Sequence, residues 1–139
     1  MKKLILLTIL LASSSAWSQT NQIQFIDGWI KQLPPVVPMR AGYMKINNTG
    51  DQKRQIVAMQ SSAFDKVEMH ESKMEDGMMK MIELGSLQLP ANSQIELKPG
   101  GKHLMLIDPV QPLQIGDKIE LIITFSDDST QSVMLVVKK

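Results

Sequence analysis

From residue 23 onward the sequence breaks into short runs of alternating aliphatic and polar residues, and no stretch repeats its apolar positions at helical spacing. The runs that read as strands are 23–30, 41–47, 53–59, 66–73, 78–84, 94–98, 102–107, 118–125 and 130–137. Turn chemistry separates most of them, at Asn47-Asn48-Thr49-Gly50-Asp51, Asp76-Gly77, Pro99-Gly100-Gly101 and Ser126-Asp127-Asp128-Ser129. Many short strands with such punctuation predict an all-β chain, an antiparallel sandwich or barrel. Leu33-Pro34-Pro35-Val36-Val37-Pro38 holds too much proline for a central strand and is expected to be an extended crossing loop. The chain is long enough for one domain with a real core and too short for two comfortable ones.

The first residues have the pattern of a secretory signal peptide. Lys2 and Lys3 form a charged start, residues 4–11 are apolar apart from Thr8, and Ala16-Trp17-Ser18 fits a small-x-small cleavage site. The apolar run is far shorter than a bilayer span, so a membrane anchor is not expected. The expected organisation is a signal peptide over 1–18 and a single domain over 19–139. With Lys2 and Lys3 removed, 13 basic residues face 14 acidic ones. That balance, without a basic run, gives no footprint for nucleic acid or an anionic membrane.

The sequence has no cysteine. This excludes a thiol nucleophile, a thiol redox pair, a thiolate metal site and a Cys-ligated blue-copper centre, and it offers no thiol for lipid attachment near the cleavage site. Methionine is abundant instead, with 11 residues. Five of them, with one of the two histidines, lie between Val67 and Met81. Asp76-Gly77 is a strong hairpin signal. A two-residue turn there pairs Met74 with Met79 and Ser72 with Met81, which sets His70, Ser72, Met74, Met79 and Met81 on one face. His70 and Met81 become diagonal neighbours. A three-residue turn would put Met81 on the wrong face.

The second cluster is His103-Leu104-Met105-Leu106. On a strand His103 and Met105 share one side, and Leu104 and Leu106 take the other, toward the core. Two imidazoles and two thioethers suit Cu(I) in a distorted tetrahedral site, because thioether sulfur is soft, uncharged and a poor ligand for Zn²⁺, Mg²⁺ or Ca²⁺. Taken singly, each methionine reads as core filler and each histidine as a hydrogen-bonded side chain. A Met two residues from a given His arises by composition in about one case in twelve. Residues alone therefore leave both a metal site and a packing role open. Met39, Met44, Met59, Met69 and Met134 are assigned to packing or to no role. Asp127 and Asp128 read as solvated turn acids. Glu68, Glu71, Glu75 and Asp76 offer a cation electrostatic attraction, without a carboxylate pair isolated for acid–base work. No serine has a His–Asp context, no phosphate loop is present, and an enzyme is not expected.

The spacing H-x10-M-x21-H-x-M, from His70 through Met81 and His103 to Met105, resembles the signature of the periplasmic copper chaperones called PCu(A)C, also written PCuAC. Ala41-Gly42-Tyr43-Met44, Ile46-Asn47-Asn48-Thr49-Gly50, Glu68-Met69-His70-Glu71, the segment from Leu97 to Leu106, and Gly116-Asp117 are similar to that family too. The resemblance covers nearly all of 19–139. It implies a cupredoxin-like β-barrel or sandwich of Greek-key type, one Cu(I) ion held by His70, Met81, His103 and Met105, and a periplasmic protein, expected as a monomer. It also implies delivery of copper to cytochrome c oxidase, most often the Cu(A) centre of subunit II. Some members carry a His- and Met-rich C-terminal extension with a Cu(II) site. This sequence ends at Lys139 without one, and that site is not carried over. Met74 and Met79 are not counted as ligands. The rival readings are a copper buffer or resistance protein with the same ligands, and a metal-free β-sandwich interaction module.

Overall fold

The run Lys118–Phe125 shows how these residues make strands: Ile119, Leu121, Ile123 and Phe125 are buried while the residues between them face outward. The computed structural model describes residues 22–139, so the signal-peptide reading lies outside the described residues. Ten strands occur there: β1 (Ile23–Lys31), β2 (Met39–Asn48), β3 (Arg54–Gln60), β4 (Phe64–Glu75), β5 (Met78–Leu84), β6 (Leu87–Leu89), β7 (Ser93–Leu97), β8 (Lys102–Pro109), β9 (Lys118–Phe125) and β10 (Thr130–Lys138). All nine expected runs are strands, and Leu33 to Pro38 is the crossing loop between β1 and β2. The three-residue strand β6, which pairs with β3, was not expected.

The sheet runs β5-β4-β8-β2-β1-β10-β9-β3-β6, with β7 alongside β2. Every pairing is antiparallel except β1 with β10, which is parallel, so the sheet is mixed. It is also not closed, since β5 and β6 end the path without meeting. The architecture is a cupredoxin-like β-sandwich with Greek-key crossovers, not a closed barrel. Its single core gathers Ile30, Met44, Ile46, Ile56, Leu104, Leu106, Leu121 and Leu135, among others, from most of the strands. Each such side chain contributes about 1.5–3 kcal/mol by leaving water.

Irregularities keep that core consistent. β1 carries a bulge between Ile26 and Trp29, with Asp27 at φ 53°. The extra residue shifts the inward positions from Ile23 to Ile30, so both ends of the strand stay apolar inside. At the far end of β2, Asn48 is buried; its Nδ2 donates to the Gln52 and Leu89 carbonyls, and its Oδ1 accepts from the Gly50 N–H.

The turn joining β9 to β10 carries a pH-dependent contact. Asp127 Oδ1 accepts from the Ser129 hydroxyl at 2.5 Å and the Ser129 N–H at 3.1 Å, and Arg54 lies 3.4 Å from Oδ2. The Ser129 bonds, with Arg54 behind them, hold the Asp127 carboxyl below its ordinary value. The folded state therefore takes up this proton less readily than the unfolded chain. The stabilisation is full above the ordinary carboxylate range and is lost as pH falls through the lowered value. Asp127→Asn is expected to lower the melting temperature slightly at neutral pH, with the difference shrinking into acid; melting curves of both proteins across pH check this.

Candidate metal centre

Asp76 and Gly77 have φ of 51° and 75°, the two positive values of a two-residue type I′ turn. The register follows as expected: Met74 pairs with Met79 and Ser72 with Met81. His70 pairs with Glu83, so Met81 is its diagonal neighbour on β5. On the other side of β4, His70 lies directly opposite His103, with ring centroids 5.9 Å apart, and Glu68 lies opposite Met105. The four residues thus share one face of three adjacent strands, with His70 central, His103 across from it, and Met81 and Met105 at its diagonals. The opposite face presents Met69, Leu104 and Leu106 to the core.

Burial is graded across the set. His103 is 6% exposed, Met105 is partly buried, and Met81 is 54% exposed. The imidazoles lie deep and one thioether stands at the surface. The neighbouring methionines divide sharply. Met44, Met59 and Met69 are buried and serve as core. Met39 and Met134 are about half exposed, and Met74, Met78 and Met79 are exposed at the hairpin tip, Met74 and Met79 on the His70 face and Met78 on the other.

The turn before β8 orients His103. Gly101 N–H donates to the Lys98 carbonyl at 3.1 Å, closing a turn with Pro99 and Gly100 at its centre. Gly100 has φ 81°, the value a type II turn requires at its third residue. The Gly101 carbonyl then accepts from the Ser72 N–H at 3.1 Å, docking β4, and lies 3.0 Å from His103 Nδ1. A carbonyl only accepts, so Nδ1 carries the proton and Nε2 keeps a free lone pair.

Sequence reasoning missed the equivalent restraint on His70. Its Nε2 lies 2.7 Å from Glu68 Oε2, while its Nδ1 is buried with no hydrogen-bond partner. Glu68 is also paired with Lys66. Hydrogen bonds from Lys66 and then from His70 hold the Glu68 carboxyl below its ordinary value. The signal was there in the alternation, since Glu68 and His70 are two apart on one strand. Beside them burial would raise the Glu71 carboxyl, but hydrogen bonds from Lys102 and Lys73 outweigh it and lower it. Among the described residues no group of three or more His, Cys, Asp and Glu side chains is placed to hold a metal ion.

A family model described as "Putative lipoprotein LpqE-like" matches residues 23–137. The chain belongs to the LpqE-like family. A putative lipoprotein of Leifsonia xyli subsp. xyli, Lxx21020, is 35% identical over 121 residues, covering 86% of this chain and 72% of that protein. Protein RP573 of Rickettsia prowazekii is 29% identical over 118 residues, covering 82% of this chain and 65% of its relative. The fold is that of the PCu(A)C proteins. The copper-bound PCuAC domain from PmoF2 superposes with a TM-score of 0.71 at 20% identity, over 84% of this chain and 92% of that one. The Cu(I) form of DR1885 from Deinococcus radiodurans gives 0.67 at 24% identity, over 92% and 86%.

Proposed function

We propose that this LpqE-like protein is an exported, periplasmic copper(I) chaperone, with a signal peptide over 1–18 and the copper-binding domain over 19–139. One Cu(I) ion is cargo for His70, Met81, His103 and Met105, and it passes to an acceptor by ligand exchange. The observation that carries this reading is the cross-strand His70–His103 pair with Met81 and Met105 at both diagonals of His70 on the same face. The copper-bound state of structural neighbours supports it, and the putative-lipoprotein description of the Leifsonia relative supports export.

The graded burial suggests the order of exchange. Met81 stands at the surface on the terminal strand of the sheet, so an acceptor's ligand reaches the ion first by replacing its thioether. His103, held by the Gly101 carbonyl, leaves last. An acceptor with thiolate ligands binds Cu(I) more strongly, and transfer runs downhill without an energy source. Apo cytochrome c oxidase subunit II, with its Cu(A) site, is the proposed acceptor.

This assignment separates Met81 from the methionines around it. Met81→Ala is expected to weaken Cu(I) binding by roughly tenfold or more, and Met74→Ala and Met79→Ala by less than about threefold, as losing a ligand must exceed losing a neighbour. All three positions are exposed, so folding is unaffected, and competition against a Cu(I) chelator measures each. In cells, deleting the gene is expected to lower oxidase activity, with recovery on added copper. Copper sensitivity with intact oxidase would instead indicate a buffer.

A further inference from the structure

The two histidines of the centre are restrained by different atoms. His103 Nδ1 faces a backbone carbonyl, whereas His70 Nε2 faces the Glu68 carboxylate. An ionised carboxylate has no proton to give, so His70 carries its proton on Nε2. The nitrogen left with a lone pair is Nδ1, which is buried and without a partner. A ring with one nitrogen hydrogen-bonded to a carboxylate and the other buried and bare has the arrangement of a metal-ligating imidazole awaiting its ion.

Building on the copper reading above, we infer that Glu68 is a positioning residue for the metal centre, fixing His70 so that it binds copper through Nδ1 while His103 binds through Nε2. Lys66 holds Glu68 in turn, and neither touches the ion. The consequence is an asymmetric centre. The His103 tautomer is set by a main-chain carbonyl and depends on no second side chain. The His70 tautomer depends on one carboxylate, two residues away on the same strand and opposite Met105.

The test is long-range ¹H–¹⁵N NMR of the histidine rings in the full chain, first without metal and then with one equivalent of Cu(I), which is diamagnetic. At about pH 8, above the usual histidine range, the copper-free protein is expected to show His70 with Nε2 protonated and His103 with Nδ1 protonated. Cu(I) then shifts His70 Nδ1 and His103 Nε2. Glu68→Leu is expected to give a mixed His70 tautomer and to weaken Cu(I) binding by about 10–100-fold, with Glu68→Gln, which keeps an acceptor, recovering most of it. A merely structural Glu68 would leave the tautomer alone. Finding the His70 proton on Nδ1, or the Cu(I) shift on His70 Nε2, overturns the inference and makes Glu68 a group the ion displaces. No Cu(I) shift at either histidine overturns the copper reading itself and this inference with it, and is distinct from a shift seen at the wrong nitrogen.

Discussion

In an anaerobic titration against a competing chelator, the protein is expected to take up one tight equivalent of Cu(I), and a His103→Ala, Met105→Ala double variant to bind at least about 100-fold more weakly. Outer partners of metal ligands are typically worth 10–100-fold in affinity, and this substitution removes two of the four proposed ligands outright. The pair is chosen because both lie on β8, an interior strand between β4 and β2. Leu104 and Leu106, which anchor β8 in the core, are untouched. The cost in stability is expected to be a few kcal/mol at most: His103→Ala loses the Gly101 bond, worth about 1 kcal/mol, together with the packing of a buried ring, and Met105 is only partly buried. A cooperative melting transition well above the titration temperature therefore separates loss of ligands from loss of fold. Unchanged binding in a folded variant would refute the ligand assignment and restore the metal-free interaction module as the better account.

Local signals were legible in the sequence, and long-range ones were not. Asp76-Gly77 dictates a two-residue turn by its tolerance of positive φ, and that alone placed Met81 on the His70 face. His103 and Met105 share a face because strand side chains alternate. The direct pairing of His70 with His103 is different. It joins strands separated by β5, β6 and β7, and no local pattern specifies it. The same holds for the parallel contact of β1 with β10, the first and last strands. Strand β6 escaped notice because three residues are too few to show alternation. The family resemblance included Asn48 without a reason; the structure supplies one in the carbonyls of Gln52 and Leu89 that this buried amide binds. Sequence reasoning treated Glu68 as a diffuse attraction for cations, since only the structure shows its carboxylate on the His70 ring.

Arg40 is the other residue whose role the sequence concealed, and Arg40→Met is expected to cost about 3 kcal/mol. Arg40 is only 2% exposed and lies opposite Leu106 on β2, at a position where alternation calls for an apolar side chain. Its guanidinium instead turns to the crossing loop. Nη1 donates to the Val37 carbonyl at 2.5 Å and to the Met39 carbonyl at 3.0 Å, and Nη2 to the Leu33 and Pro34 carbonyls at 3.2 and 3.3 Å. The reason lies in the loop itself. Three prolines in six residues remove N–H groups and leave carbonyls that no sheet can satisfy. A planar fork of donors serves three of them, on Leu33, Pro34 and Val37, and the Met39 carbonyl at the start of β2 as well, which a lysine cannot do. Burial lowers the Arg40 pKa, yet the group stays charged because guanidinium deprotonates only at extreme pH. Methionine fills similar volume but removes these donors; the Pro34 carbonyl keeps the Val37 N–H, and each of the others that water cannot reach costs about 1–3 kcal/mol. On a domain of this size the loss corresponds to a melting temperature lower by roughly 10–15 °C. Arg40→Lys keeps the charge and is expected to recover only part of it. Because Arg40 pairs with Leu106 on the core face while Met105 pairs with Ala41 on the opposite face, Cu(I) affinity measured below the transition should remain near that of the parent. A variant that melts normally would mean that the loop carbonyls are satisfied by water, and that the buried cation contributes nothing to holding the loop.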